Sequence, residues 1–305
     1  MPGLLARLLV ALLLAAPAAS RGQSLGEVAL AAENDTPGGP EALAFDGRHI
    51  WVARPFADAL VKLSASNAEP SGTFRVERPG AVLYALSALW VTNTRANRVT
   101  KLDPRDGALL GSFEVGHAPA ALAFDGESIW VANSGANSLT KLDPKGRKLL
   151  TVGVQARPLA LAFDGAHLWV ASNKARSVTK LRAKDGRIAG VFPAGDGPSA
   201  LAFDGENIWV ANFFSGDVMK LRAADGERLG AWRVAPGASG LAFDGRNIWV
   251  TSWGANSVTA LRGDGSVMAS YGTGRRPQQV LYDGANLWLA NSASDSVSST
   301  ALGWK

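Results

Sequence analysis

LAFDGENIWVAN, residues 201–212, decides the reading of this chain, because LAFDGESIWVAN stands at 122–133 and shorter copies stand at 43–52, 161–170 and 241–250. The Trp of each copy serves as a ruler: Trp51, Trp90, Trp130, Trp169, Trp209, Trp249 and Trp288 follow one another at spacings of 39 or 40 residues. A fixed period of this size over most of a chain marks a repeat architecture. Each unit opens with Pro and a short apolar run such as SALAF (199–203), then Asp-Gly, then a run such as NIWVAN (207–212). A polar loop such as SGAN (134–137), a third run such as SLTKL (138–142), a second Gly-containing turn and a fourth run complete it. Short runs holding β-branched and aromatic residues, bounded by Gly, Asn, Asp and Pro, are strands joined by hairpin turns. No sustained 3.6-residue period occurs outside the first twenty or so residues.

Four antiparallel strands in about 40 residues make one blade of a β-propeller, and seven units make a ring. The predicted fold is therefore all-β, a seven-bladed β-propeller. The Ile-Trp-Val-Ala run is apolar on both faces, as a sheet packed between two neighbours requires, which places the Trp in the core between blades. The last unit supplies only three strands before Lys305, while GEVALAAE (26–33) is a spare strand ahead of the first Pro. It is predicted to become the outer strand of blade 7, since an open ring would leave unpaired edges.

Composition narrows the chemistry. The chain of 305 residues is 47 % hydrophobic and 19 % charged, has a formal charge of +5 and contains no Cys. Disulfides, zinc-thiolate sites and thiol nucleophiles are excluded. Arg7, the apolar LLVALLLAA (8–16) and the small-residue PAAS (17–20) form the pattern of a secretory signal peptide. The expected organisation is a leader over 1–20 and a propeller over 21–305, in a periplasmic or secreted protein. No membrane span is expected after cleavage, because the apolar run is short, and the expected state is a monomer. The basic residues are scattered, with no basic stripe interleaved with aromatics, so nucleic acid is not an expected partner.

The repeat, of the form FDG..IWVAN....NSVTKLD..DG..LG.F.VG..P, resembles the bacterial YVTN-type repeat. It is also similar to NHL-type repeats and to the streptogramin (virginiamycin B) lyase propellers. The resemblance spans residues 26–305 and implies the propeller fold. Such families include ligand sensors, scaffolds, cell-surface proteins and a few enzymes. The enzymes carry catalytic His and Glu, or clustered metal-binding acids, at the mouth of the ring. This chain has three His. His49 and His167 occupy one repeat position, two before the Trp, and read as turn residues. His117 stands alone before Pro119. Asp46, Asp125, Asp164, Asp204, Asp244 and Asp283 lie in register, but Asp-Gly is hairpin chemistry, and a calcium site needs several oxygens on one point. No catalytic set, metal site or cofactor is assigned.

The loops between strands two and three, and those between blades, share the face that the propeller fold uses for binding by analogy. On that face Arg78, Arg157 and Arg276 take the position before the repeat Pro in blades 2, 4 and 7, with Arg275 and His117 one residue further out. Strand two ends in Arg54, Asn93, Asn133, Asn212 and Asn291, or in Ser. Phe213, Phe214 and Trp253 add aromatics on blades 5 and 6. Arg recognises carboxylate or phosphate bidentately, and exposed aromatics beside Arg suit a binding surface. The expected function is an exported, non-catalytic binding or scaffold module. Its expected partner is an anionic small molecule, a cell-envelope glycan or an acidic protein. The rival expectation is a metal-dependent lyase or lactone hydrolase using His117 as base.

Overall fold

The computed structural model describes residues 26–29 and 38–302. Every regular element among them is a β-strand, and the strands form seven four-stranded antiparallel sheets. Blade 3 represents the others: Pro119–Phe124, Ile129–Asn133, Ser138–Leu142 and Lys148–Gly153 pair in chain order. The first strands of the seven blades are Ala42–Phe45, Pro79–Ala85, Pro119–Phe124, Pro158–Phe163, Pro198–Phe203, Ala238–Phe243 and Pro277–Tyr282. Each of these packs against the first strand of the next blade, and the seventh packs against the first. The architecture is a seven-bladed propeller around a central axis.

The repeated phrase builds the walls. Trp and Ala of Ile-Trp-Val-Ala face one neighbouring blade, Ile and Val the other, because successive side chains alternate across a strand. In one core, Trp130, Ala132 and Leu139 of blade 3 meet Leu168, Val170 and Leu181 of blade 4. The same join recurs from Trp209 to Ile248 and Val250, and from Trp288 to Ile50 and Val52. All seven ruler tryptophans are at most 2 % exposed. Five also lie against an aromatic of their own fourth strand, for example Trp51 on Phe74 at 5.4 Å and Trp209 on Trp232 at 5.6 Å between ring centroids.

The Asp-Gly turn has a second task besides turning. Asp204 Oδ1 accepts the backbone N–H groups of Glu206 and Asn207 at 2.9 and 2.6 Å, while Oδ2 accepts the indole N–H of Trp209 at 2.7 Å. The same clamp holds Trp51, Trp130, Trp169, Trp249 and Trp288. In blade 2, where Ala85 and Leu86 replace Asp-Gly, Trp90 donates to the carbonyl of Ala85 instead, at 3.2 Å. The six aligned carboxylates are therefore committed to turns and core. In five of them, burial works to raise the carboxyl pKa. The indole and backbone donors, joined at Asp125 by the Lys141 ammonium, outweigh it, and Asp46, Asp125, Asp164, Asp204 and Asp283 fall below the usual range.

Blades 1 to 5 share one further join. The Lys in strand three lies over the Trp of its own blade, at 5.0 to 5.2 Å for Lys62, Lys101, Lys141, Lys180 and Lys220. Its ammonium then donates to a carbonyl in the next blade, as from Lys62 to Pro104 at 2.8 Å and from Lys141 to Ala183 at 2.8 Å. Blades 6 and 7 have Ala260 and Ser299 at this register. The seam between blades 7 and 1 uses other means. Gly26–Ala29 pairs antiparallel with Ser296–Ser299 as the outer strand of blade 7. Gln279 accepts the backbone N–H of Leu43 at 2.7 Å. The predicted closing strand is thus present over 26–29. Its remainder at 30–33 and the leader at 1–20 lie outside the described residues.

Candidate functional site

The seven first strands enclose an axial channel with a cavity of 610 Å³, a size suited to a small ligand. Its wall is built largely from Ala, Gly, Ser and Leu, such as Gly80, Ala120, Leu159, Ser199 and Ser239. Small residues are needed where seven strands converge. Ser199 and Ser239 donate to carbonyls of the next first strand, Ala238 at 2.8 Å and Pro277 at 2.7 Å. Their hydroxyls therefore tie the wall together. Two charged side chains line the channel, Glu41 and Arg157.

The residue before the repeat Pro, or before Ala238 in its place in blade 6, has a left-handed backbone in all seven blades: Gly39, Arg78, Ala118, Arg157, Gly197, Gly237 and Arg276. This conformation explains the three glycines, since only Gly adopts it without steric cost. At Arg78, Ala118, Arg157 and Arg276 the backbone N–H is held at 2.9 Å by the side chain that ends the preceding loop: Asp58, Asn97, Asn137 and Asn256. The Asn of the repeat's loop thus aims the position that carries the arginines.

The structure separates the three arginines rather than gathering them. The guanidinium carbon of Arg276 lies 4.4 Å from the ring centroid of Trp253, and that of Arg78 lies 4.9 Å from that of Phe56. Each reaches back over an aromatic in the loop of the preceding blade. The matching loop behind Arg157 contains Ser134 and Gly135. Among the described residues Arg157 has no ring beneath it, and it lines the channel instead. Arg275 is exposed and donates to the carbonyl of Ala293 at 2.9 Å. His117 is exposed and packs over Gly135, where any Cβ would collide with its ring.

Strand-end residues 54, 93, 133, 212 and 291 require correction. They do not form a ring of donors at the mouth, because all are buried: Arg54 at 1 %, Asn93 at 5 %, and Asn133, Asn212 and Asn291 at 0 %. Nη2 of Arg54 donates to both carboxylate oxygens of Asp295, each at 2.9 Å. The amide of Asn93 donates to the carbonyl of Glu77 at 2.6 Å, that of Asn133 to Thr140 at 2.9 Å, that of Asn212 to Asp217 at 2.6 Å and that of Asn291 to Ser298 at 2.7 Å. Strand two is the middle of a packed blade, so its last side chain is still covered by neighbours. These residues hold loops in place.

The aromatics do come together. Phe213 lies 5.2 Å from Phe214 and 5.9 Å from Trp253, edge to face in both cases. Phe214 is 68 % exposed and Phe213 reaches the channel wall. Two residues on this face were not anticipated. Phe56, 54 % exposed, has the same loop position as Phe214, and that alignment was available in the sequence. Glu41 follows Pro40, where the other units have Gly80, Ala120, Leu159, Ser199, Ser239 and Gln278. A carboxylate at a position otherwise uncharged was its signal. Burial pushes the Glu41 carboxyl above its ordinary range, while the nearby Arg78 pulls in the other direction.

Among the described residues, no group of three or more His, Asp or Glu side chains is placed to hold a metal ion. No family profile matches the chain, and no curated protein matches it in sequence. Solved structures do resemble it. A chain of Kuenenia stuttgartiensis hydrazine synthase superposes with a TM-score of 0.80 at 18 % identity, covering 90 % of this chain and 99 % of that one. A streptogramin B lyase gives 0.76 at 17 % identity, covering 90 % and 96 %. A catalytically inactive histidine-to-alanine variant of virginiamycin B lyase from Staphylococcus aureus, with quinupristin, gives 0.79 at 18 % identity, covering 92 % and 99 %. At these identities the likeness is one of fold: the chain is a seven-bladed propeller similar to the streptogramin lyase propellers.

Proposed function

We propose that this protein is an exported, non-catalytic binding module whose axial channel takes a small molecule bearing an anionic group, held by Arg157. One observation carries the reading. Of the three arginines before the repeat Pro, Arg157 alone lies over no aromatic among the described residues, and it lines the channel. A guanidinium is a geometrically selective receptor for carboxylate or phosphate, and that of Arg157 is exposed and open to a ligand entering the channel. Phe213 in the same wall offers an apolar surface to the rest of the ligand. Arg78 and Arg276, laid over their rings, support loops. The test is thermal shift of the mature protein against small mono- and dicarboxylates, sugar acids and phosphate esters. A ligand at about 100 times its dissociation constant adds roughly 2.7 kcal/mol. Arg157→Gln should abolish the shift and Arg276→Gln should preserve it. A shift unchanged in Arg157→Gln would refute the reading.

The fold likeness to two lyases favours a second reading, an enzyme of lyase type. It would require a base on the loop face, where His117 is exposed. Chromatography of quinupristin incubated with the protein, with and without divalent metal, decides it. Conversion that disappears in His117→Ala would establish the lyase reading.

A further inference from the structure

We infer that the ligand of the axial channel is dipolar, with a carboxylate or similar anion for Arg157 at one wall and an ammonium group for Glu41 at the opposite wall. This rests on the binding role given above to Arg157 and specifies what occupies the same channel. Glu41 begins the wall of blade 1, and Arg157 leads into the wall of blade 4. Three blades apart is the largest separation that a seven-membered ring allows. Both line one cavity, and neither forms an ion pair with a described residue. A molecule filling the channel would remove water from both charges. Burying a charge without a partner is strongly unfavourable, so a simple anion would satisfy Arg157 and leave Glu41 stranded.

Arg78 acts on the Glu41 carboxyl through space but lies stacked on Phe56. Among the described residues no cation forms an ion pair with the carboxylate, and burial raises its pKa against the pull of Arg78. The middle of the channel suits an uncharged, partly polar body. Phe213, Leu159 and Ala120 provide apolar contact, and Gln278 provides an amide. The charges must be separated by more than one backbone unit, because they meet opposite walls. A short peptide with free termini has this chemistry.

The test is calorimetric titration with Gly-Phe-Gly in four forms: free termini, N-acetylated, C-amidated and blocked at both ends. The free peptide should bind, and each single block should weaken it by about tenfold or more, the usual cost of deleting a charge-assisted bond. Glu41→Gln should erase the penalty for N-acetylation alone, and Arg157→Gln the penalty for C-amidation alone. If the N-acetylated peptide binds as tightly as the free one, the dipolar proposal fails while the role of Arg157 stands. If C-amidation has no effect, the role of Arg157 fails with it. Absence of binding by all four forms at millimolar concentration overturns the dipolar proposal, and the carboxylate panel then judges Arg157 separately.

Discussion

Arg54 is buried to 1 % exposure and grips Asp295, 241 residues away in the chain, through two bonds of 2.9 Å. The pair crosses the seam between blades 1 and 7, which lacks the Lys-to-carbonyl join that blades 1 to 5 make. Gly38 makes room for it: a Cβ there would lie 2.4 Å from the guanidinium. Asp295→Asn should destabilise the ring by about 1–3 kcal/mol, because two charge-assisted bonds to a buried guanidinium are weakened. Denaturant unfolding of both single variants and the double variant would measure the coupling. Additive losses would show that the pair does not hold the seam.

Acid should loosen the blades through their turns. Five Asp-Gly carboxyls have folded pKa values below the usual range, because indole and amide donors, with Lys141 at Asp125, outweigh the effect of burial. The folded state then binds fewer protons than the unfolded state, so stability rises with pH in that window. The contribution is complete above the ordinary Asp pKa of about 4 and is lost as pH falls through the lower folded values. Unfolding followed by tryptophan fluorescence should show this loss. Asp204→Asn should reduce its steepness, and an unchanged slope would contradict the clamp.

Glu41 should act in the opposite sense. Burial raises its pKa against the pull of Arg78, so the folded state holds the proton longer and stability falls as pH climbs from the ordinary Glu value of about 4.3. Glu41→Gln removes this effect. Its Tm should match the parent in acid and exceed it at neutral pH. Equal Tm values at both would show that the carboxylate is well solvated.

Lys141 joins blades 3 and 4 from within the core. Its side chain is 8 % exposed, lies 5.2 Å from the Trp130 centroid, and reaches Ala183 at 2.8 Å and Asp125 at 2.9 Å. Lys141→Met keeps the stem but leaves Asp125 without its cation, so a loss of about 2–3 kcal/mol is expected. Lys220→Met should cost less, since its ammonium lies 3.9 Å from Asp204. Equal losses by chemical denaturation would mean that the carboxylate contact contributes nothing.

How much of this was legible differs by residue. The Trp ruler, the Asp-Gly turns and the spare strand at the N-terminus are local signals with local causes: alternation across a strand, turn chemistry and an unpaired edge. Each reads directly from one chain because the repeat prints it several times. The binding face was legible only in outline. Asn93, Asn133, Asn212 and Asn291 look like loop donors in sequence, yet neighbouring strands cover them. Arg78, Arg157 and Arg276 are equivalent in register and end in different surroundings.

The sequence by itself determined the number of blades, the strand order and the core residues, because those follow from periodicity and hairpin geometry. Only the tertiary structure decided which charges reach the axis. A side chain's partner there comes from a blade up to three repeats away, and that juxtaposition exists only when the ring is closed. Phe56 and Trp253 draw two arginines over their loops, the small Ser134 and Gly135 leave Arg157 to the channel, and Glu41 faces it from across the ring.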